Sequence, residues 1–322
     1  MTADQGPIAI QAASSPPVAQ SAARTHRFTV VVSFLSIYLI WGSTYLAIRY
    51  AVETIPPLYT AGFRHLIAGS ILLAWCLAKR LRPTWAQVRA SIIIGAFFFL
   101  IGHGTLHWAE QKVPSGLASL LIASEPICVF LLSAFVARKW RLNAPLLIGI
   151  LFGFGGVGLL MGRSALNSGP GVFVGSVAVV VGAFSWSVGI VYSRRSHLSG
   201  HPLLLSALSL LAGSGQLLLV GTIAGEYRGF SLASVSFRSW LALGYLIVFG
   251  SVVAFTAYNW LLEHYSPTLV ATHTYVNPIV AVLFGWLFAG EAVTFNVLLS
   301  AALVIGAVML VDRGMTNLQQ SA

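Results

Sequence analysis

The stretch WGSTYLAIRYAVETIPP, residues 41–57, decides the fold, because 186–202 repeats it in outline as WSVGIVYSRRSHLSGHP. Trp41, Arg49 and Pro57 return as Trp186, Arg194 and Pro202, each 145 positions on. Further along, Trp108 and Pro126 return as Trp260 and Pro278, now 152 positions on. Loop insertions produce a drift of that size. A unit written twice matters here because duplicated membrane halves place a substrate site at their shared midplane.

Composition sets the solvent. Charged residues make up 8% of the chain and hydrophobic ones 57%, against about 25% charge in soluble domains. The bilayer is therefore the solvent. The net charge of +10 is not a nucleic-acid footprint, because the basic residues sit between apolar runs rather than along one face. Cys76 and Cys128 both fall inside apolar runs and give neither a disulfide framework nor a zinc site. Residues 1–27, rich in Ala, Ser, Pro and Gln, are expected to form a disordered cytoplasmic tail. They do not read as a signal peptide, since the apolar run that comes next is too long.

A span needs about 20 apolar residues. Ten runs qualify: roughly 29–50, 58–77, 90–108, 115–136, 145–161, 172–192, 202–225, 240–261, 268–289 and 293–310. Their continuous apolarity excludes a β-barrel. With the N-terminus in the cytoplasm, twelve Lys and Arg fall inside and five outside, as the positive-inside rule requires. Both termini are then cytoplasmic. Ten spans divide into two fives, and five is odd, so the second copy is inverted relative to the first. The expected class is an all-α integral membrane protein of ten transmembrane helices in two inverted five-helix repeats. The repeats are read as 28–162 and 171–313, with a linker at 163–170 and a tail at 314–322.

Polar residues inside the spans are the candidate site. Glu125 lies ten residues past Ser115, about 15 Å into the fourth span. A carboxylate there costs at least about 2.5 kcal/mol. It is either a proton-coupling site or a lock between two helices. At offset 152, Asn277 stands where Glu125 stands, and each precedes a proline, Pro126 or Pro278. A membrane proline frees a carbonyl and kinks its helix, so the pair would face each other at the midplane and bind substrate, or else only pack helices. Arg64 either pairs with an anion or snorkels to the interface. His103, His107 and Glu110 share a helical face at metal-like spacing, but no second ligand cluster joins them. A polar lining is the better reading, since His107-Trp108 matches Asn259-Trp260; an interfacial position near the outer surface, which Trp108 suits, is the rival. Trp41, Tyr45, Trp186 and Tyr275, with Ser43, Thr44, Ser185 and Ser187, suit either a cavity for amphipathic solutes or plain packing. Gly149, Gly153, Gly155, Gly156 and Gly158 in the fifth span, echoed by Ala302 and Gly306, read as close helix packing or a dimer face.

Trp41-Gly42-Ser43-Thr44-Tyr45, Pro57, Arg64, Val113-Pro114-Ser115-Gly116, Ser185-Trp186, Tyr275-Val276-Asn277-Pro278 and Gly290-Glu291 together resemble the EamA-type members of the drug/metabolite transporter superfamily. The resemblance covers nearly all of the chain after residue 27. It implies a ten-helix basket in the inner plasma membrane that exports amino acids, other metabolites or drugs, often with proton coupling. The first four helices of each repeat would line the cavity. The first repeat departs from the pattern, with Arg138-Lys139 where the second has Gly290-Glu291. The expectation is a secondary transporter, not an enzyme: no Gly-x-Ser-x-Gly elbow or His-Glu-x-x-His occurs. A passive facilitator or an importer is the alternative. The expected pathway is Trp41, Ser43, Thr44, Arg64, His103, His107, Glu125, Trp186, Asn259, Tyr275 and Asn277, with kinks at Pro126 and Pro278. No cofactor or metal is expected. The partners are a small solute and the lipid bilayer, no nucleic acid, in a monomer or homodimer.

Overall fold

A computed structural model describes residues 28–138, 143–167, 170–196, 201–265, 267–270 and 272–320. The expected disordered tail at 1–27 lies outside them. All regular structure among the described residues is helical. Eight helices are long and apolar enough to cross a bilayer: α1 Phe28–Ala51, α2 Pro57–Ala78, α3 Trp85–Ala109, α4 Ser115–Val136, α6 Pro170–Arg195, α7 Pro202–Ile223, α8 Phe237–Leu261 and α10 Phe295–Asn317. Two more apolar helices are shorter, α5 at Ala144–Leu160 and α9 at His273–Ala289.

Local chemistry fixes where these helices begin. Pro57 and Pro202 open α2 and α7 at the first helical positions, where a missing N–H costs nothing and φ is already helical. Thr84 and Gln87 close a reciprocal capping box on α3, which satisfies two otherwise orphaned amides. The expected linker at 163–170 is mostly helix instead: the fifth helix continues to Asn167 and α6 starts at Pro170. The run from Gly153 to Met161 is apolar enough to carry the helix past the polar residues that suggested a loop.

Inside the bundle, α2 packs along α7, α5 along α10, α1 against α9 and α4 against α6. The small-residue seam of α5 explains one of these contacts. A Cβ on Gly149 would stand 2.9 Å from the Ala307 carbonyl, and one on Gly156 2.7 Å from Val304. Gly155 and Gly158 meet nothing within 4 Å. So one stripe of glycines lets α10 approach, while the other faces outward. The expected echo at Gly306 is not part of the seam, because it too meets nothing within 4 Å.

Among the described residues, three stretches widen into π-helix: Ser36–Ile40 in α1, Ala96–His103 in α3 and Leu246–Val253 in α8. The last two lie 150 positions apart, on either side of the chain's midpoint. A π stretch breaks the i→i+4 ladder and leaves carbonyls to be satisfied from elsewhere.

Gly149→Ala should lower the thermal midpoint of the detergent-purified protein, because overpacking costs about 1–3 kcal/mol. Gly158→Ala should leave it unchanged or raise it, since alanine favours an open helix face by about 1 kcal/mol. Equal effects of the two would show that the seam does not face α10.

Candidate functional site

Side chains from neighbouring helices satisfy the widened stretches. Trp41 Nε1 donates to the Gly250 carbonyl in α8 at 3.1 Å. Ser185 Oγ donates to the Phe97 carbonyl in α3 at 2.9 Å. With its amide oriented to suit its surroundings, Asn277 Nδ2 reaches the carbonyls of Ile37, Tyr38 and His273 at 3.2, 3.1 and 3.1 Å. In hydrocarbon each such carbonyl left alone costs several kcal/mol. The polar atoms of Trp41 and Asn277 are thus tied to backbone, and their rings and stems face the interior.

Trp41 sits among Phe255, Tyr258 and His273, with centroids 5.6, 5.1 and 5.0 Å away. Trp186 sits differently. It is stacked between Phe98 at 4.4 Å and His103 at 5.0 Å, and His103 in turn stacks on His65 at 4.9 Å. His103 Nδ1 and His65 Nε2 are 2.8 Å apart, so a single proton lies between them. His107 Nδ1 meets the His103 carbonyl at 2.7 Å. At the matching place in α8, Asn259 Nδ2 donates to the Phe255 carbonyl at 2.8 Å. Ser43 Oγ bonds Tyr245 at 2.6 Å, and Thr44 Oγ1 donates to the Trp41 carbonyl at 2.6 Å.

Arg64 does not snorkel to the surface. It is 3% exposed, and its Nε donates to Ser251 Oγ at 2.9 Å. A buried guanidinium needs such partners, and Ser251 supplies one from the π stretch of α8. His103, His107 and Glu110 do not converge, and among the described residues no group of three or more His, Cys, Asp or Glu could hold a metal. Glu110 is 2% exposed with both carboxylate oxygens unpartnered, and His107 Nε2 and His65 Nδ1 are likewise buried and unpartnered. Sequence reading named Glu110 only for its spacing and placed His65 beside Arg64 in the second span without a role, because its partner lies on another helix.

The fourth helix is interrupted, and a separate helical turn is described ahead of the ninth. The fourth runs Ser115–Ile122, turns, and resumes at Glu125–Ala137. The separate turn is Pro267–Val270, and the ninth helix is His273–Ala289. Glu125 therefore opens a helical segment, and its half-buried carboxylate accepts no hydrogen bond among the described residues. Its backbone carbonyl accepts from Ser187 Oγ at 3.3 Å. Tyr45 and Tyr258 lie within its electrostatic range. Pro126 stands at the start of that segment, whereas Pro278 is inside α9. The two prolines, matched in sequence, occupy different places in their helices.

Two acidic residues sit where α1 ends and α2 and α4 begin. Gly225, in the left-handed region at φ 81°, turns the chain after α7 and aims Glu226 at the start of α2. There Glu226 accepts the Leu58 and Tyr59 amides at 3.1 Å each. Gly290, at φ 64°, does the same after α9. Glu291 accepts the Ser115 amide and hydroxyl at 2.8 Å and the Gly116 amide at 3.0 Å. Arg49 joins it at 2.5 Å. Carboxylates suit helix N-termini because the exposed amides and the dipole both favour negative charge. Desolvation holds the Glu226 carboxyl above its ordinary range, and the two amide bonds only partly offset this. Sequence reading missed Glu226. The tripeptide Ala-Gly-Glu, at 224–226 and again at 289–291, was the available signal.

The profile of the EamA-like transporter family matches residues 28–162 and again 173–312. An uncharacterized inner membrane transporter of Escherichia coli K12, YedA, is 36% identical over 88% of this chain and 90% of its own. The uncharacterized Bacillus subtilis transporter YoaV is 27% identical, over 85% of this chain and 94% of its own. A solved crystal structure superposes with a TM-score of 0.60 at 22% identity, covering 88% of this chain and 96% of that one. At that identity the likeness speaks to the fold alone.

Two outcomes are expected. Trp41→Phe keeps the ring packing and removes the donor to Gly250, so it should lower stability by about 1–3 kcal/mol in thermal unfolding; no loss would remove the bond from the account. The raised Glu226 carboxyl binds its proton more tightly in the folded than in the unfolded chain. Its contribution to stability should therefore grow as pH falls through that raised value and be lost above it. Glu226→Gln should flatten this part of the pH–stability curve, and an unchanged curve would contradict the assignment.

Proposed function

Because the chain belongs to the EamA-like transporter family, we propose that it is a multi-pass inner-membrane secondary transporter that exports small amphipathic solutes by alternating access. The interruption of α4, and the separate helical turn at Pro267–Val270 ahead of α9, carry this reading. Discontinuous helices expose unpaired backbone and helix ends near the midplane, where transporters of inverted-repeat design bind their cargo. Glu125 opens the second segment of α4 with a free carboxylate.

The proposed architecture has ten spans in two inverted five-helix units, with both termini cytoplasmic. The two family matches, at 28–162 and 173–312, support the duplication. So do the paired contacts, α1 with α9 and α4 with α6, and the paired π stretches of α3 and α8. α5 and α9 are counted as spans on this reading: the fifth helix runs 24 residues to Asn167, and the 17 residues of α9 reach about 25 Å, a length that a thinned bilayer or snorkelling flanking residues can meet.

On this reading solute enters between α4 and α9. The proposed pathway takes in Glu125, Tyr45 and Tyr258 near the α4 break, Trp41 and His273 beside α9, and Arg64, His103 and His107 toward α3. Tyr275, Asn259, Asn277, Ser43, Thr44 and Trp186 hold the walls. Proton exchange on Glu125 supplies the driving force. The buried, unpartnered oxygens of Glu110 and nitrogen of His107 support a hydrated pathway, because such groups in a native interior call for water or solute.

Untargeted mass spectrometry of culture medium tests the proposal. Cells overproducing the wild type should enrich a small set of compounds over an empty-vector control. Glu125→Gln should abolish the enrichment while membrane levels of the protein stay the same. Identical media from all three would contradict export, and enrichment that survives Glu125→Gln would remove Glu125 from coupling.

A further inference from the structure

Four helix ends among the described residues turn through the left-handed region at matched positions. Arg80, at φ 61°, and Gly225, at φ 81°, are 145 positions apart, the offset of the first half of the repeat. Arg138, at φ 52°, and Gly290, at φ 64°, are 152 apart, the offset of the second. The turns match in hydrogen bonding as well: the Leu81 amide returns to the Cys76 carbonyl at 3.0 Å, and the Glu226 amide to the Gly221 carbonyl at 2.9 Å.

The residue just after each turn differs between the halves. After Gly225 and Gly290 come Glu226 and Glu291, and after Arg80 and Arg138 come Leu81 and Lys139. Glu226 holds the amides of Leu58 and Tyr59. The residues 145 further on are Leu203 and Leu204 at the start of α7, and Leu81 packs against the apolar cluster that contains both. The Leu203 amide is met by His201 Nδ1, at 3.2 Å, and not by a carboxylate. One helix pair, α2 with α7, thus ends in a carboxylate clamp on one side and an apolar contact on the other. Both clamps reach from the second half of the chain to the first, and both lie at the end where α1 finishes.

We propose that Glu226 and Glu291 are the outer gate of the transport cycle: two carboxylate latches that hold the outer ends of α2 and α4 to α7 and α9, and that release together when the cavity opens outward. The opposite end, built with Leu81 and without the matching carboxylates, opens by sliding apolar surfaces. Alternating access is then biased by construction toward the outward-closed state. Arg49 belongs to the second latch, since its guanidinium is bonded to the carboxylate that caps α4. The latches act on helix ends, not on solute, so they are positioning residues.

The proposal rests on the transporter reading, and the experiment separates the two. Spin labels are placed at Gln111 and Leu232 at the latched end, and in a second sample at Arg82 and Arg194 at the other. Electron-resonance distances are then read in lipid nanodiscs. Glu226→Gln/Glu291→Gln should lengthen the first distance and shorten the second. Adding Leu81→Glu, which offers the α7 amides a carboxylate, should enlarge both shifts. If the double variant fails to fold, each single variant with the same labels reads the same signs. Unmoved distances overturn the latches, and so does lengthening at the first pair alone, which is fraying of a helix end. Wild-type export in the culture-medium test with unmoved labels removes the latches and leaves the transporter. No wild-type export removes the transporter reading, whichever way the labels move.

Discussion

A backbone carbonyl that loses its helical partner inside a bilayer has no water to turn to. This constraint organises the interior of the molecule. Each widened stretch of helix has a side-chain donor from a different helix: Trp41 for α8, Ser185 for α3, Asn277 for α1. The donors are also what join those helices, so irregular backbone and tertiary contact are specified by the same atoms. An irregularity that would be a defect in an isolated helix becomes a fixed joint between two.

The same constraint explains why the interior reads as polar in sequence yet holds few free polar groups. Trp41, Ser43, Thr44, Asn259 and Asn277 all have hydrogen bonds to backbone or to a neighbouring hydroxyl. Those left over among the described residues are the Glu125 carboxylate, both oxygens of Glu110, one nitrogen each of His65 and His107, the Gln216 side-chain oxygen and the hydroxyls of Ser91 and Ser300. The ionisable ones lie on α2, on α3 and at its end, and on α4. In the proposed transporter these are the groups with capacity to meet solute or proton. The satisfied ones build the walls.

How much of this was legible depends on what carries each feature. The helices were legible because bilayer burial is a property of composition over about 20 residues, and the Trp, Arg and Pro offsets stood out against apolar background. The π stretches were not. AFFFLIGH at 96–103 and LIVFGSVV at 246–253 are apolar whichever ladder they adopt, and the side chains that donate to them, Ser185 and Trp41, come from distant parts of the chain. Arg80 and Arg138 were read as topological charge, which hid their left-handed turns, since a non-glycine at positive φ carries no sequence mark. Glu226 looked like an ordinary loop acid, because its partners, the amides of Leu58 and Tyr59, have no side-chain signature. His65 could not be paired with His103 from spacing when the two lie on different helices. Glu125 stood out in the sequence because a lone carboxylate in an apolar run is costly wherever it points.

The central claim is that one five-helix unit occurs twice, turned over in the membrane. Its most direct test is sidedness at the matched helix ends. Single cysteines would replace Arg80, Gly225, Arg138 and Gly290 in a background lacking Cys76 and Cys128, and intact cells would be treated with a membrane-impermeant thiol reagent. The account predicts labelling at 225 and 290 from outside, and at 80 and 138 only after the membrane is opened. Labelling of both members of either matched pair from the same side would contradict the inverted duplication, and with it the placement of the site and its gate.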